Sequence, residues 1–239
     1  MGKPDIIYED NDIIVCYKPA GIATQTRRIG QQDMESFIRN YRAAKNEPPY
    51  VGIVHRLDQP VEGVMVFAKN QKAAASLSRQ IKEHTTEKYY RAASRGQGVS
   101  GADKEEDNKE DNHDPAWHTL TDYISFDKRT NTSKITSEKD RQAKKAVLQY
   151  RILSNECNKT EFDIKLLTGR HHQIRLQLAN IGYPLIGDTK YGKPASNNSG
   201  TGNVAGRTGS CVREQLALCS YKLVFEHPAT GERMTFELP

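Results

Sequence analysis

Apolar positions in this chain recur at different periods in different segments, and each period implies an element. Ile6-Ile7-Tyr8 and Ile13-Ile14-Val15-Cys16-Tyr17 flank the polar run Glu9-Asp10-Asn11-Asp12, which predicts two short strands around a turn. Lys18-Pro19-Ala20-Gly21 ends the second strand with a Pro/Gly turn. Met34, Phe37, Ile38 and Tyr41 keep the i, i+3, i+4, i+7 spacing, which predicts an amphipathic helix over 32–45, stopped by Pro48-Pro49. Val51 to Val54 reads as a short strand. Val64-Met65-Val66-Phe67-Ala68 is continuously apolar, as expected of a strand covered on both faces. Ala73, Ala74, Leu77 and Ile81 mark a helix over 71–84, and Glu87 to Ser94 reads as a strand.

The second half reads in the same way. Strands are expected near 117–126, 132–137 and 146–153, and Phe162-Asp163-Ile164-Lys165-Leu166 alternates as a half-buried strand does. Ile174, Leu178 and Ile181 share a helix face over 171–181, and Gly182 is the expected residue just past that helix. Two strands, 220–226 and 233–238, join through His227-Pro228-Ala229-Thr230-Gly231. Two stretches lack periodicity. Residues 96–115 are rich in Gly and charge and read as a surface insertion, and 193–210 read as a Gly/Ser/Asn-rich loop. There is no internal repeat. Strands dominate and do not alternate regularly with helices, so the expected class is α+β, a mixed, largely antiparallel sheet with flanking helices. The expected organisation is a single domain over 1–239.

Composition sharpens this picture. Apolar residues are 36% of the chain, which implies a thin core under a polar surface. No run of about 18 apolar residues exists, so no membrane-spanning helix is expected. The first residues, Met1-Gly2-Lys3-Pro4-Asp5, lack the apolar stretch of a secretory signal. Cys16, Cys157, Cys211 and Cys219 form no C-x-x-C pair, which argues against a zinc ribbon or a disulfide framework and for reduced thiols in the cytoplasm. The net charge of +5 conceals an asymmetry. Residues 101–114 hold seven acids and two lysines, a local −5, so the rest of the chain carries +10. A dispersed basic body suits an anionic partner, of which nucleic acid is the commonest, and equally suits a merely soluble surface.

The segment His55-Arg56-Leu57-Asp58-Gln59-Pro60-Val61-Glu62-Gly63-Val64 is the most informative chemically. It places Asp58 on a tight loop between two apolar strands, where catalytic groups are often presented. Arg56 and Asp58 are two apart, so on an extended segment they point the same way. Spacing alone favours the plainer role, with Asp58 capping its turn and Arg56 in a surface ion pair.

His55-Arg56-Leu57-Asp58, followed by Gly63 and a run ending Ala68-Lys69, resembles the signature of the RluA-type pseudouridine synthases. Further blocks match in order. They are Tyr8-Glu9-Asp10 through Lys18-Pro19-Ala20-Gly21, the K-x-Y-x-A strand Lys88-Tyr89-Tyr90-Arg91-Ala92, and Leu167 through Arg175 with Gly182 to Asp188 and Tyr191-Gly192. Leu216-Ala217-Leu218 to His227-Pro228 resembles the closing strand. The resemblance implies isomerisation of a uridine in structured RNA, with no cofactor and no metal. The uracil must be flipped into a pocket before its glycosidic bond is broken and remade through carbon. It implies that Asp58 is the catalytic carboxylate, attacking C1′ or removing the C2′ proton, and that Arg175 pairs with it. Tyr90 would pack on the uracil and assist loss of the C5 proton. Arg56 would fill the space left by the flipped base. Ile174 and Leu218 would wall the uracil pocket, and His55, Leu57 and Arg170 would complete the RNA-binding set.

The sequence departs from the family pattern at Val61 and Glu62, where a Thr or Ser pair is usual, and at His171, where Thr is common. Glu62 would bring a negative charge near phosphate. A metal at His171-His172 is disfavoured because adjacent helical residues point about 100° apart. The Gly-rich stretch 200–209 has no phosphate-cradle spacing. The catalytic strands begin by residue 6, so the N-terminal RNA-binding module of many relatives is expected to be absent. The expected partner is a ribosomal or transfer RNA stem-loop, 23S-type ribosomal RNA first, bound by a monomer without membrane contact. Two other classes compete. One is an RNA-binding or RNA-folding protein that kept the fold without turnover, and the other is a hydrolase using Asp58 as nucleophile. The second lacks an accompanying D-x-D or glycine motif.

Overall fold

A computed structural model describes residues 4–26, 28, 30–95, 116–156, 158–192 and 214–239. The charged insertion expected at 96–115 and the loop expected at 193–210 lie outside the described residues. The elements in chain order are β1 (Asp5–Glu9), β2 (Ile13–Lys18), α1 (Met34–Ala44), β3 (Gly52–Ile53), β4 (Glu62–Ala68), α2 (Gln71–Lys82), β5 (Glu87–Arg95), β6 (His118–Asp127), β7 (Thr132–Thr136), β8 (Lys144–Glu156), β9 (Lys159–Leu166), α3 (Gln173–Asn180), β10 (Leu218–Glu226) and β11 (Arg233–Glu237).

All the strands join one sheet in the order β1-β2-β4-β10-β5-β9-β8-β6-β7, with β3 added to β4 and β11 to β10. Every named pairing is antiparallel except β4 with β10. That parallel contact is brief, Cys219 opposite Glu62 and Ser220 opposite Gly63, before β11 takes over that side of β10. The strands approach closely there. Gly63 has φ +136, and a Cβ on it would stand 2.2 Å from the Ser220 carbonyl oxygen. Any side chain at 63 would therefore push β4 away from β10 just after the loop that carries Asp58.

The alternation in β2 and β4 divides the core between the two faces of the sheet. Ile14, Cys16, Met65 and Phe67 join the larger cluster, with Met34 and Ile38 of α1 and Ile174 and Leu178 of α3. Ile13, Val15, Val64, Val66 and Ala68 join the other, with Ala73 and Leu77 of α2. The two-sided burial expected of 64–68 is thus what the packing shows. Asp33 caps α1 by accepting from the Ser36 amide at 2.8 Å, while Ser36 Oγ accepts from the Asp33 amide at 3.1 Å. Asn70 caps α2 through the Ala73 amide.

Two expectations shift. The expected strand at 51–54 shortens to Gly52–Ile53. The helix expected over 171–181 begins only at Gln173, because His172 takes a left-handed conformation, φ 54. Among the residues of that helix, Gln173, Arg175 and Gln177 are buried along with Ile174, Leu176 and Leu178.

Candidate active site

The sheet centre opens into a cleft of about 1000 Å3 between the β3–β4 loop, β5, the start of α3 and the β6–β7 hairpin. His55, Arg56, Leu57, Asp58, Tyr90, Arg170, Ile174, Arg175 and Leu218, all expected from sequence, line it.

Asp58 sits at the turn of the β3–β4 loop, where its carbonyl accepts from the Val61 amide at 3.0 Å. Its carboxylate is 30% exposed, reachable from the cleft yet partly shielded from water. Arg175 Nη1 donates to Asp58 Oδ2 across 3.5 Å, a long bond. The same guanidinium makes a close two-point pair with Asp188, Nε to Oδ2 at 2.7 Å and Nη2 to Oδ1 at 2.8 Å. Burial alone would weaken the hold of Arg175 on its proton; the Asp188 bonds outweigh that and raise its pKa above the ordinary value. Burial would raise the Asp188 pKa, and the Arg175 bonds reverse this and hold it low. Asp188 Oδ1 also accepts from the amides of Lys190 and Tyr191, so the loop after α3 is wound around the ion pair.

His172 completes this wall. Its Nε2 lies 3.5 Å from Asp58 Oδ2 and its Nδ1 lies 2.9 Å from the Tyr191 hydroxyl. The Tyr191 oxygen accepts from the Ser133 amide at 2.8 Å, which leaves its proton for His172 Nδ1. Nε2 then carries the imidazole proton and faces the carboxylate, the tautomer that attracts rather than repels it. Burial, with Arg175 and His171 beside it, pushes His172 down to about 3, so it is neutral at physiological pH. Both donors converge on Oδ2, and Oδ1 of Asp58 takes no part in either contact.

The opposite support is Lys18, fully buried at the end of β2. Its ammonium donates to the carbonyls of Pro19 at 3.1 Å, Ile22 at 2.6 Å and Gln59 at 3.2 Å. Burial lowers its pKa to about 8, opposed only in part by Asp58 and Glu62. The Gln59 bond pins the residue next to Asp58. Thr24 adds two more bonds, with its hydroxyl donating to the Leu57 carbonyl at 3.0 Å and accepting the Leu57 amide at 3.2 Å.

The remaining expected residues are placed as follows. Tyr90 is 6% exposed, and burial raises its phenol above the ordinary range despite Ser220 beside it, so the hydroxyl keeps its proton near neutrality. Ile174 and Leu218 are each 5% exposed and wall the cleft. Arg56 is exposed, and Arg170 is half-buried with Nε on the Lys145 carbonyl. His55 lines the cleft but turns Nε2 onto the Val66 amide at 3.1 Å, and burial with Lys88 nearby drops it to about 3. Leu57 is largely core. Glu62 does not line the cleft. Tyr17 donates to it at 2.8 Å and Gln215 at 3.1 Å, which draws its charge to the other side of the loop.

Sequence reasoning assigned no role to Lys18, His172, Asp188 or Tyr191. The signal for Lys18 was its register, since Ile14, Cys16 and Lys18 fall on one face of β2. One group with metal-ligand spacing occurs among the described residues, Asp10, Asp12 and His227. It lies outside the cleft lining. His227 Nδ1 accepts from the Thr230 amide, so Nε2 holds the proton and donates to Asp10 at 2.8 Å, making the group a clasp between two turns.

Residues 12–180 match the family described as RNA pseudouridylate synthase. An RNA pseudouridine synthase of Bacillus subtilis (strain 168) is 31% identical over 241 residues, covering 100% of this chain and 69% of its own length. The ribosomal large subunit pseudouridine synthase D of Vibrio cholerae is 32% identical over 243 residues, covering 98% of this chain and 67% of its own. The enzyme of that name from Neisseria meningitidis serogroup B is 31% identical, and the match covers 58% of its length. The solved structure titled human RNA pseudouridylate synthase domain containing 4 superposes with a TM-score of 0.70 at 20% identity, over 98% of this chain and 88% of that one, a likeness of fold.

Proposed function

Because the chain belongs to the RNA pseudouridylate synthase family, we propose that its cleft isomerises a uridine in structured RNA to pseudouridine with Asp58 as the catalytic carboxylate. The observation that carries the reading is the convergence of Arg175 and His172 on one oxygen of Asp58, at 3.5 Å each, beside the buried Tyr90 ring. Two donors on Oδ2 orient the carboxylate, and Oδ1 is the atom available to the ribose.

The bond N1–C1′ breaks, the freed uracil turns, and C5–C1′ forms. C5 then loses its proton and N1 gains one, so the product is an isomer and no redox partner is required. Asp58 either attacks C1′ or takes the C2′ proton, and its ionised form serves both routes. Tyr90 serves as a ring against the uracil. Its phenol is protonated near neutrality, so it is not a standing base for the C5 proton. Arg56, Arg170 and Lys88 give the cleft rim cationic groups for phosphates.

Large-subunit ribosomal RNA is the favoured substrate, since relatives 31% and 32% identical to this chain carry that name, and transfer RNA comes second. The departures at Val61 and Glu62 favour an RNA-binding reading without turnover; the attachment of Glu62 to Tyr17 and Gln215 outside the cleft lining answers the Glu62 half of that reading, while Val61 lines the cleft. The test is a pseudouridine map of total RNA with and without the gene. Loss of one modification on deletion, restored by the wild-type gene, supports the reading and names the RNA. An unchanged map counts against it.

A further inference from the structure

The β6–β7 hairpin contributes to the cleft a side chain that the isomerisation does not use. Five large apolar side chains are exposed among the described residues, and of these only Phe126, at 37%, lines the cleft. Its ring centroid lies 4.2 Å from that of His171, which lies 3.7 Å from that of His172. The three rings form a continuous series from the cleft rim to the contact with Asp58.

The rim end of that series is held firmly. Phe126 pairs with Ser133 across the hairpin. Ser133 Oγ donates to the His171 carbonyl at 2.8 Å, so the 3.0 Å contact with His171 Nδ1 must be donated by the imidazole. The Ser133 amide donates to Tyr191, and the Lys190 ammonium donates to the Asn131 carbonyl in the hairpin turn. Burial, with Lys190, Arg175 and Arg56 nearby, lowers the His171 pKa against the pull of Asp58 and keeps its ring neutral. A fixed, uncharged ring therefore stands in a cleft whose lining also carries Arg28, Arg56 and Arg170.

Aromatic faces among guanidinium groups match a nucleic acid strand, bases on the rings and phosphates on the cations. Flipping a uridine out of its stack leaves the next base with a bare face. We propose that Phe126, backed by His171, is a stacking subsite for the nucleobase adjacent in the RNA chain to the uridine that enters the Asp58 pocket. The inference rests on the function proposed above. It gives His171 a role, since the Thr usual at that position has no ring to back Phe126.

The test is a cycle between protein and RNA, on the stem-loop around the uridine that the deletion map identifies. Binding is measured by fluorescence anisotropy and pseudouridine formation in parallel. The proteins are wild type, Phe126→Ala, Phe126→Trp and His171→Thr, and the RNAs are intact or abasic at each neighbour of the uridine. Phe126→Ala is expected to weaken binding roughly tenfold, with an unchanged melting temperature. Phe126→Trp should retain wild-type affinity, and His171→Thr should lose less than Phe126→Ala. One abasic position should cost the wild type a similar factor and cost Phe126→Ala nothing further. Equal affinity of Phe126→Ala and wild type, or additive losses at every abasic position, overturns the subsite. Pseudouridine formed with an additive cycle removes the subsite alone. A non-additive cycle without pseudouridine removes the proposed reaction and leaves the base-binding site. A map with no altered uridine removes both.

Discussion

Arg175 and Lys18 are both buried cations beside the Asp58 loop, and their surroundings differ. Arg175 has a carboxylate of its own, Asp188, whose side chain is fully buried, and spends only one remaining nitrogen on Asp58. Lys18 has three carbonyl oxygens and, among the described residues, no carboxylate in bonding range. The consequences run in opposite directions. The guanidinium is held more firmly charged than usual, whereas the ammonium falls to about 8. Arg175 acts on the carboxylate itself, while Lys18 acts on the backbone that presents it, through Gln59. The comparison separates two influences on the Asp58 carboxylate. One is an opposite charge in contact with it and the other is a pinned backbone beneath it, and this fold assigns them to different elements.

The strongest way to break the comparison is at Asp188. Asp188→Asn leaves a buried guanidinium without its full counter-charge, which is expected to cost about 3–5 kcal/mol in stability, measured by denaturant unfolding. It should also draw Arg175 toward Asp58 and lower kcat. A stability change near zero would show that Asp188 does not neutralise Arg175.

Lys18→Met is expected to cost less, about 1–3 kcal/mol, because loss of the carbonyl bonds is offset by removal of a buried charge. Its kcat should fall with KM little changed, since the loop is disturbed and the RNA-facing rim is not. Its pH behaviour sharpens the contrast. The folded pKa of Lys18, about 8, lies below the ordinary 10.5. Between those values the unfolded chain holds the proton that the folded chain has released, so this group adds stability as pH rises. The wild-type stability minus that of Lys18→Met should therefore climb from pH 8 to 10.5. A flat difference would mean that Lys18 is not desolvated.

The smallest expected effect comes from His55. Its folded pKa near 3 lies below the usual 6.5, so its stabilising effect is full above 6.5 and is lost as pH falls toward 3. His55→Gln replaces the acceptor for the Val66 amide with one that does not protonate. Its melting temperature should decline less steeply than that of the wild type between pH 6.5 and 4. Identical slopes would place the wild-type acid sensitivity elsewhere, with His172 as the next group, since it has the same sign.

Much of the fold was legible because local period and burial agree. The apolar runs 13–17 and 64–68 named two strands, and the caps at Asp33 and Asn70 stand where helices were expected. The start of β10 beside β4 was not legible, because a two-residue parallel contact between segments so far apart in the chain leaves no periodic trace. Helix α3 was read from its apolar face, but its buried polar residues answer to partners elsewhere. Arg175 meets Asp188, and Gln177 meets Asp122 at 2.7 Å. The site divides similarly. Asp58, Tyr90 and Arg175 were named from the motifs that hold them. Lys18 closes β2 but heads the Pro/Gly run that reads as a turn, so its burial was missed, and Phe126 reaches the cleft only through the β6–β7 hairpin, whose placement depends on Ser133, Tyr191 and Lys190.

The central claim is that the Asp58 carboxylate performs the isomerisation while its neighbours only hold it. The most direct test uses purified wild-type protein and Asp58→Asn on RNA from cells lacking the gene, with pseudouridine read at the mapped uridine in a single turnover. The account predicts product with wild type and none with Asp58→Asn, at equal RNA affinity and with an intact melting transition. Product from Asp58→Asn at the wild-type rate would contradict it.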